Sequence, residues 1–201
     1  MTQDHITTDT SGEPWWEAYR EDFKEGDLIE YVAAEAQATS VQEYHAFVFP
    51  NPIQDPQYGD RVLHAYDDTC SAELIERAAV FRARRRAAFF RPGLSASFIV
   101  DGSVLCRPVG PREVMKKQHA LLRDIQLSGK ASITVIDGVY HGMETSFTTF
   151  TVDGEIVVFE SSERKLEKVT DPVRKVELIE RFNRYRQRAI PVQDHPSMIL
   201  E

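Results

Sequence analysis

The sequence predicts an α+β fold: N-terminal helices, then a small mixed β-sheet built as strand–helix–strand–hairpin and covered by helices, and a C-terminal helix. Two observations predict it. Helical patterns come first along the chain, and β-rich runs are concentrated after residue 94. The chain has 201 residues, of which 42% are hydrophobic, so it can bury a sizeable core. We expect a disordered acidic leader over residues 1–13 and a single domain over residues 14–201.

The first half of the chain is predicted to be mainly helical. An aromatic residue at every fourth position from Trp15 predicts one helix, and LIEYVAAEAQA predicts another over residues 28–38. Several prolines predict an irregular segment over residues 44–66, with a short helix that begins at Pro56. Ser71 is a typical N-cap for the arginine-rich helix that follows it.

The second half is predicted to supply the sheet. Two β-rich runs, TSFTTFTV and EIVVFES, flank the turn Asp153-Gly154, which is a strong hairpin signal. Asp171, with a proline after it, predicts the start of the last helix. Its buried face would consist of Val173, Val176, Ile179, Phe182 and Tyr185. The remaining predicted elements are a strand over 95–101, a helix over 111–127 and a strand over 132–136.

The charge distribution limits the possible partners. The formal net charge is −8, and residues 1–30 contribute −7 of it, with nine acidic and two basic residues. An acidic chain is not typical of nucleic-acid-binding domains, so we expect no direct DNA contact.

The sequence also bears on the compartment. No apolar run approaches the ~20 residues of a membrane span. Cys70 and Cys106 form no C-x-x-C motif, and a cytoplasmic location is expected.

The chain lacks the common catalytic and cofactor signatures. It contains no G-x-S-x-G, P-loop, G-x-G-x-x-G or H-E-x-x-H motif. Its six histidines do not have the spacing of metal ligands. We therefore expect no cofactor and no metal, and any catalysis would be acid–base chemistry by side chains.

Polar residues at predicted strand ends are the candidates for such chemistry. Asp101 and Asp137 each end a strand, Glu160 lies near the end of the second hairpin strand, and His141 lies in a loop between two glycines. Side chains at strand ends can converge on a pocket, and a histidine beside a carboxylate can exchange protons near neutral pH. His141 would be the base, and the three carboxylates would orient it or act as acids. The alternative is that these residue types simply suit turns.

Three motifs, in this order and spacing, carry a resemblance to a known family. They are WWEAYREDF at the start, FRARRRAAFF, and VDGSVLCRPVGPREVMKKQHALL. From Trp15 onward the chain resembles the actinobacterial domain of unknown function that follows an Xre-type helix-turn-helix in antitoxin-like regulators. The resemblance implies a ligand-sensing or interaction domain and, by analogy with the parent regulators, a homodimer. About a dozen polar residues precede the Trp-Trp pair, which is too few for the family's DNA-binding module.

The resemblance also directs attention to candidate ligand-binding residues. Gln54 and Tyr58 keep their places in a divergent segment, whereas Gly102 stands where the family usually has Glu. Arg85 belongs to a helix with six arginines, which indicates either anion binding or a solvated face. Gln118, at the edge of a core stripe, points into a cavity or caps a backbone group. Tyr140 and Glu144, in the loop around the candidate base, complete the set.

Two hypotheses of different classes follow. In the first, the chain is a stand-alone relative of a regulator's sensing domain, which binds a small molecule or a protein partner without direct DNA contact. In the second, the same pocket serves a small cofactor-free tailoring enzyme of specialised metabolism. Its reaction would be an acid–base cyclisation, isomerisation, dehydration or hydrolysis. Both hypotheses require a pocket, and they differ in whether the ligand is changed.

Overall fold

The computed structural model describes residues 12–65, 70–138, 145–161 and 165–199. Within them, seven strands form one mixed sheet in the order β6-β5-β4-β1-β2-β3-β7. β1, β2 and β3 are parallel to one another, and the other pairings are antiparallel. The strands are β1 (Ser40–His45), β2 (Ser95–Asp101), β3 (Ser132–Ile136), β4 (Ser146–Val152), β5 (Glu155–Ser161), β6 (Leu166–Lys168) and β7 (Ile190–Pro191).

Four of the six α-helices in the described residues begin at a residue whose side chain caps the first turn. Ser71 Oγ accepts a hydrogen bond from the Leu74 N–H, and Asp171 Oδ1 accepts one from the Val173 N–H. A helix predicted from Trp15 is a short 3₁₀ turn, Glu17–Tyr19. The helices are α1 (Leu28–Gln37), α2 (Pro56–His64), α3 (Ala72–Phe89), α4 (Gly102–Cys106), α5 (Arg112–Leu127) and α6 (Pro172–Arg188).

The sheet has helices on both faces. Side chains alternate along each strand, so Val41 of β1 faces the larger core, in which α1, α3 and α5 pack, while Tyr44 faces α6. Trp15 and Trp16 are buried in the larger core, where they serve as packing anchors. The tight turn after β4 is also as predicted, since Asp153 and Gly154 both have positive φ angles.

Two further features differ from the sequence-based expectation. The central strand β1 was not predicted, and its last two residues lie in the segment expected to be irregular. Its Gln42, Glu43 and His45 interrupt the apolar alternation that indicates a strand. The buried face of α6 also differs in part from the predicted one. Phe182 and Tyr185 are buried against the sheet as predicted, together with Leu178, whereas Val173 and Val176 are 65% and 54% exposed.

The parallel strands define one edge of the sheet. β1, β2 and β3 end at His45, Asp101 and Ile136, and their register places these ends side by side. We call this edge the carboxyl edge. Ligands of sheets with parallel strands bind outside such strand ends. Among the described residues, no helix has both the length and the apolar character needed to cross a membrane.

Candidate functional site at the carboxyl edge

A histidine–aspartate pair lies at the carboxyl edge beside β3. Asp137 follows β3, and His195 Nε2 lies 3.0 Å from its Oδ2 atom. The backbone N–H of Ser197 donates to His195 Nδ1 at 3.2 Å, so Nδ1 is the acceptor nitrogen and Nε2–H donates to the carboxylate. His195 is 5% exposed, whereas the Asp137 side chain is 67% exposed. The pair therefore presents a carboxylate to solvent and holds it from behind with a buried imidazole.

Gly102 lies directly against this pair. A Cβ atom added at Gly102 would collide with Asp137 Oδ1 and would lie 3.5 Å from His195 Nε2. The Asp137 carboxylate thus fills the space that a side chain at position 102 would enter. Asp101 is beside it, but its Oδ1 accepts a hydrogen bond from the Ser103 N–H at 2.9 Å and caps α4.

Glu160 is distant from Asp137. β4, β1 and β2 lie between β5 and β3, which corresponds to about 19 Å at the usual strand spacing. Its carboxylate accepts hydrogen bonds from Thr145 and from Arg174, the latter at 2.5 Å. Burial raises the pKa of Glu160, but Arg174 and Thr145 lower it by more, so the carboxyl is held ionised in this ion pair. The structure brings Asp101 and Asp137 to neighbouring strand ends and leaves Glu160 apart from them.

The three candidates of the loop after β3 cannot be placed. Tyr140, His141 and Glu144 lie outside the described residues, so their roles stay predictions. The described chain ends at Gly138, next to the histidine–aspartate pair, and resumes at Thr145.

Gln54 and Tyr58 lie inside the larger core. Gln54 is fully buried, donates from Nε2 to the Phe49 carbonyl at 2.5 Å, and accepts a hydrogen bond from Arg82. Tyr58 is fully buried too, with its ring 5.2 Å from that of Phe49, and burial raises its pKa to about 12. The amide of Gln54 is therefore used in holding the segment between β1 and α2.

Gln118 has a similar internal role. Its Nε2 donates to the Ile53 carbonyl at 2.8 Å, and its Oε1 accepts from the Asp55 N–H at 2.7 Å. The alternative that this side chain caps backbone groups is confirmed. It joins α5 to the turn before α2, where main-chain groups would otherwise lack partners.

Arg85 belongs to a buried polar cluster that the sequence did not reveal. It donates to both oxygens of Glu35 on α1, at 2.8 and 2.7 Å, and its guanidinium lies 4.7 Å from the Tyr31 ring centroid. Burial lowers the pKa of Arg85, but the charge of Glu35, together with its hydrogen bonds and the contributions of Tyr31 and Glu43, raises it by more, and the guanidinium stays charged. The helix position expected to bind an external anion or to face solvent is thus paired with a carboxylate of the same chain.

Glu43 is the second carboxylate of this cluster. It faces the larger core from β1, with a side chain 3% exposed, and its Oε1 lies 3.0 Å from Nε2 of His45. Thr148, the residue of β4 that pairs with Glu43, hydrogen-bonds to the Tyr31 hydroxyl at 3.1 Å. Burial and then the charge of Glu43 raise the pKa of Tyr31 well above its ordinary value. We call Tyr31, Glu35, Glu43, His45, Arg85 and Thr148 the Glu43 cluster.

Most of the buried polar atoms without partners belong to β1 and to the 3₁₀ turn that follows it in the chain. Glu43 Oε2, His45 Nδ1 and both amide atoms of Asn51 are buried and have no hydrogen-bond partner in the described part of the chain. They are four of the six such atoms there. An unpaired buried polar group costs about 1–3 kcal/mol, so each one needs an explanation.

One feature of the sequence does point to a buried polar cluster. Glu35 lies four residues after Tyr31, on the stripe of α1 that faces the core, where a charged residue is unusual.

Comparison with known families gives one result. The family described as "Domain of unknown function (DUF5753)" matches residues 28–201 of the chain. The match includes the whole sheet, the Glu43 cluster and the Asp137–His195 pair, while the Trp-Trp segment precedes it. No curated protein matches the chain.

Proposed function

Since this chain belongs to the DUF5753 family of domains of unknown function, we propose its function from its site: it binds a small molecule at the carboxyl end of β1, against Glu43 and His45. The observation that carries the proposal is the unpartnered Oε2 of a carboxylate that is 3% exposed. The unpartnered Nδ1 of His45 adjoins it along the strand. A bound molecule with hydrogen-bond donors would satisfy both atoms.

Glu35 provides the comparison inside the same cluster. Both Glu35 and Glu43 are buried carboxylates, and both oxygens of Glu35 accept hydrogen bonds from Arg85. If the role of Glu43 were purely structural, both of its oxygens should accept hydrogen bonds, because a buried polar network with unpartnered atoms is costly. Instead, its Oε2 has no partner, and Glu43 lies near the carboxyl end of the central strand β1, where ligands of such sheets bind.

A sensing role fits this site. The resemblance to the domain that follows an Xre-type helix-turn-helix in actinobacterial regulators supports a cytoplasmic, homodimeric protein whose ligand changes a contact with a protein partner. The net charge of −8 supports a mode of action without direct DNA contact.

Native mass spectrometry of the purified protein tests the proposal. We expect a small molecule that stays bound to the natural chain and is lost from Glu43→Gln, which keeps the size of the side chain and removes its charge. Glu160→Gln is the matched control, since Glu160 is paired with Arg174 on the other face of the sheet. Equal retention by Glu43→Gln and the natural chain would contradict the proposal.

Acid–base catalysis is the second candidate function, and the Asp137–His195 pair favours it. The exposed carboxylate is oriented by a buried imidazole, an arrangement that suits a general base for cyclisation, isomerisation, dehydration or hydrolysis. The two functions differ in the fate of the ligand. A retained molecule that turns over during incubation, and stops doing so in Asp137→Asn, would favour the enzyme.

A further inference from the structure

We infer that the ligand of this site is a small aliphatic amine, whose ammonium group donates to Glu43 Oε2 and which carries a second N–H or O–H donor for His45 Nδ1. This inference rests on the proposed function and adds the chemical class of the ligand. It follows from the hydrogen-bonding capacity of the two atoms, the charge of the cluster and the direction in which the site opens.

Hydrogen-bonding capacity decides which groups can bind. A carboxylate only accepts, so the 3.0 Å contact between His45 Nε2 and Glu43 Oε1 requires a hydrogen on Nε2. We infer the amine for the neutral form of His45, in which Nδ1 is an acceptor. In that form both unpartnered atoms, Glu43 Oε2 and His45 Nδ1, accept hydrogen bonds. A carboxylate, phosphate or carbonyl group of a ligand has no hydrogen to offer them, whereas an amine offers several.

The charge of the cluster also favours a cation. Glu35 and Glu43 supply two carboxylates, and Arg85 supplies one guanidinium, which is bound to both oxygens of Glu35. Among the described residues, Glu43 forms no ion pair with a lysine or an arginine, and its one charged-pair contact is with His45. A buried carboxylate without a cation is strongly unfavourable, and a ligand cation would supply the counter-ion.

A metal ion is the main alternative cation, and the geometry disfavours it. In the part of the chain that the structure describes, no three histidine, cysteine, aspartate or glutamate side chains are grouped so as to hold a metal. Glu43 and His45 give two potential ligands, fewer than the three that catalytic zinc sites have. An organic ammonium needs only hydrogen-bond acceptors.

The difference in exposure between the two residues orients the ligand. The Glu43 side chain is 3% exposed and that of His45 is 21% exposed, so the site opens at His45. The ammonium would bind on the inner side, at Glu43, and the second donor would lie nearer to solvent. This places an amino alcohol, rather than a simple alkylamine, as the best match.

Calorimetric titration of the purified chain with matched probes tests the inference. 2-Aminoethanol, ethylene glycol and glycolate have similar size and differ in charge; propylamine lacks the second donor. We expect 2-aminoethanol to bind at least tenfold more tightly than ethylene glycol and propylamine, and glycolate not to bind. Glu43→Gln should lose at least tenfold in affinity for 2-aminoethanol, and Glu160→Gln should not change it.

The outcomes separate this inference from the function on which it rests. Equal or tighter binding of ethylene glycol or glycolate would overturn it, and this comparison on the natural chain decides even if Glu43→Gln does not fold. A molecule that is retained by the natural chain, is lost from Glu43→Gln and has no amine would overturn the inferred ligand class and leave the proposed binding function standing. Binding of no probe together with retention of no molecule would overturn both.

Discussion

Arg85 of α3 binds Glu35 of α1 through three hydrogen bonds, from Nε to Oε1 at 2.8 Å, from Nε to Oε2 at 3.0 Å and from Nη2 to Oε2 at 2.7 Å. Both side chains are largely buried. The bidentate geometry is the one in which a guanidinium matches a carboxylate best. Because neither charge is well exposed to water, removing one partner leaves the other as a buried charge without a counter-ion.

Replacing Arg85 by Met should lower the free energy of unfolding by about 3–5 kcal/mol, since it leaves the Glu35 carboxylate buried without a cation. Urea denaturation at pH 7 measures the change. Arg84→Met is the control, because Arg84 is an exposed residue of the same helix, and its effect should stay within about 0.5 kcal/mol. An equally small effect at Arg85 would show that the pair does not stabilise the fold.

The contact between Gly102 and Asp137 predicts that one substitution has different effects in two backgrounds. In the natural chain, Gly102→Ala should be less favourable, because the new Cβ collides with Asp137 Oδ1 and displaces the carboxylate from His195. In an Asp137→Ala background the collision is gone. The same substitution should then stabilise by up to about 1 kcal/mol, since alanine is the better helix former at this position of α4. A double-mutant cycle from denaturant unfolding measures the coupling, and equal effects in both backgrounds would exclude the collision.

The buried His119 predicts a pH dependence of stability. Burial lowers its pKa below the ordinary 6.5, although the Leu105 carbonyl, 3.2 Å from Nε2, raises it. The unfolded chain therefore binds this proton more readily, and stability falls as the pH drops below about 6.5. His119→Gln should flatten this fall in melting temperature between about pH 6.5 and 5, whereas His64→Gln, at an exposed position, should not. Parallel melting curves for His119→Gln and the natural chain would contradict the assignment.

Much of the fold was predictable because its signals are local. Ser71, Asp171 and the Asp153-Gly154 turn act on backbone groups within three residues of themselves. Their chemistry is therefore visible in a short stretch of sequence. The predicted bounds of β2 and β3 agree with the observed strands, since both are apolar runs flanked by turns.

The site was less predictable because its contacts are distant in sequence. Glu35 and Arg85 are 50 residues apart, and neither shows from its own neighbours that the other lies opposite. β1 was missed for a related reason. Glu43 and His45 occupy core-facing positions that strand patterns assign to apolar residues, so the site itself disrupts the β signal. The Asp137–His195 pair likewise joins residues 58 positions apart.

The two carboxylates of the Glu43 cluster should respond in opposite directions to the same substitution. Glu35→Leu removes the partner of a buried guanidinium and should lower the free energy of unfolding by about 3–5 kcal/mol. Glu43→Leu removes a carboxylate whose Oε2 is unpartnered, and the ligand-free chain should gain about 1 kcal/mol. His45 loses a partner as well, but it is partly exposed and water can replace the contact.

Urea denaturation of the ligand-free chain and of both variants measures this difference, and native mass spectrometry of the same samples reports retained small molecules. A gain in stability that accompanies the loss of the bound molecule is the expected sign of a residue kept for binding at the expense of stability. If Glu43→Leu were destabilising to the same extent as Glu35→Leu, the carboxylate of Glu43 would be satisfied inside the fold. The proposed binding site would then lose its main support.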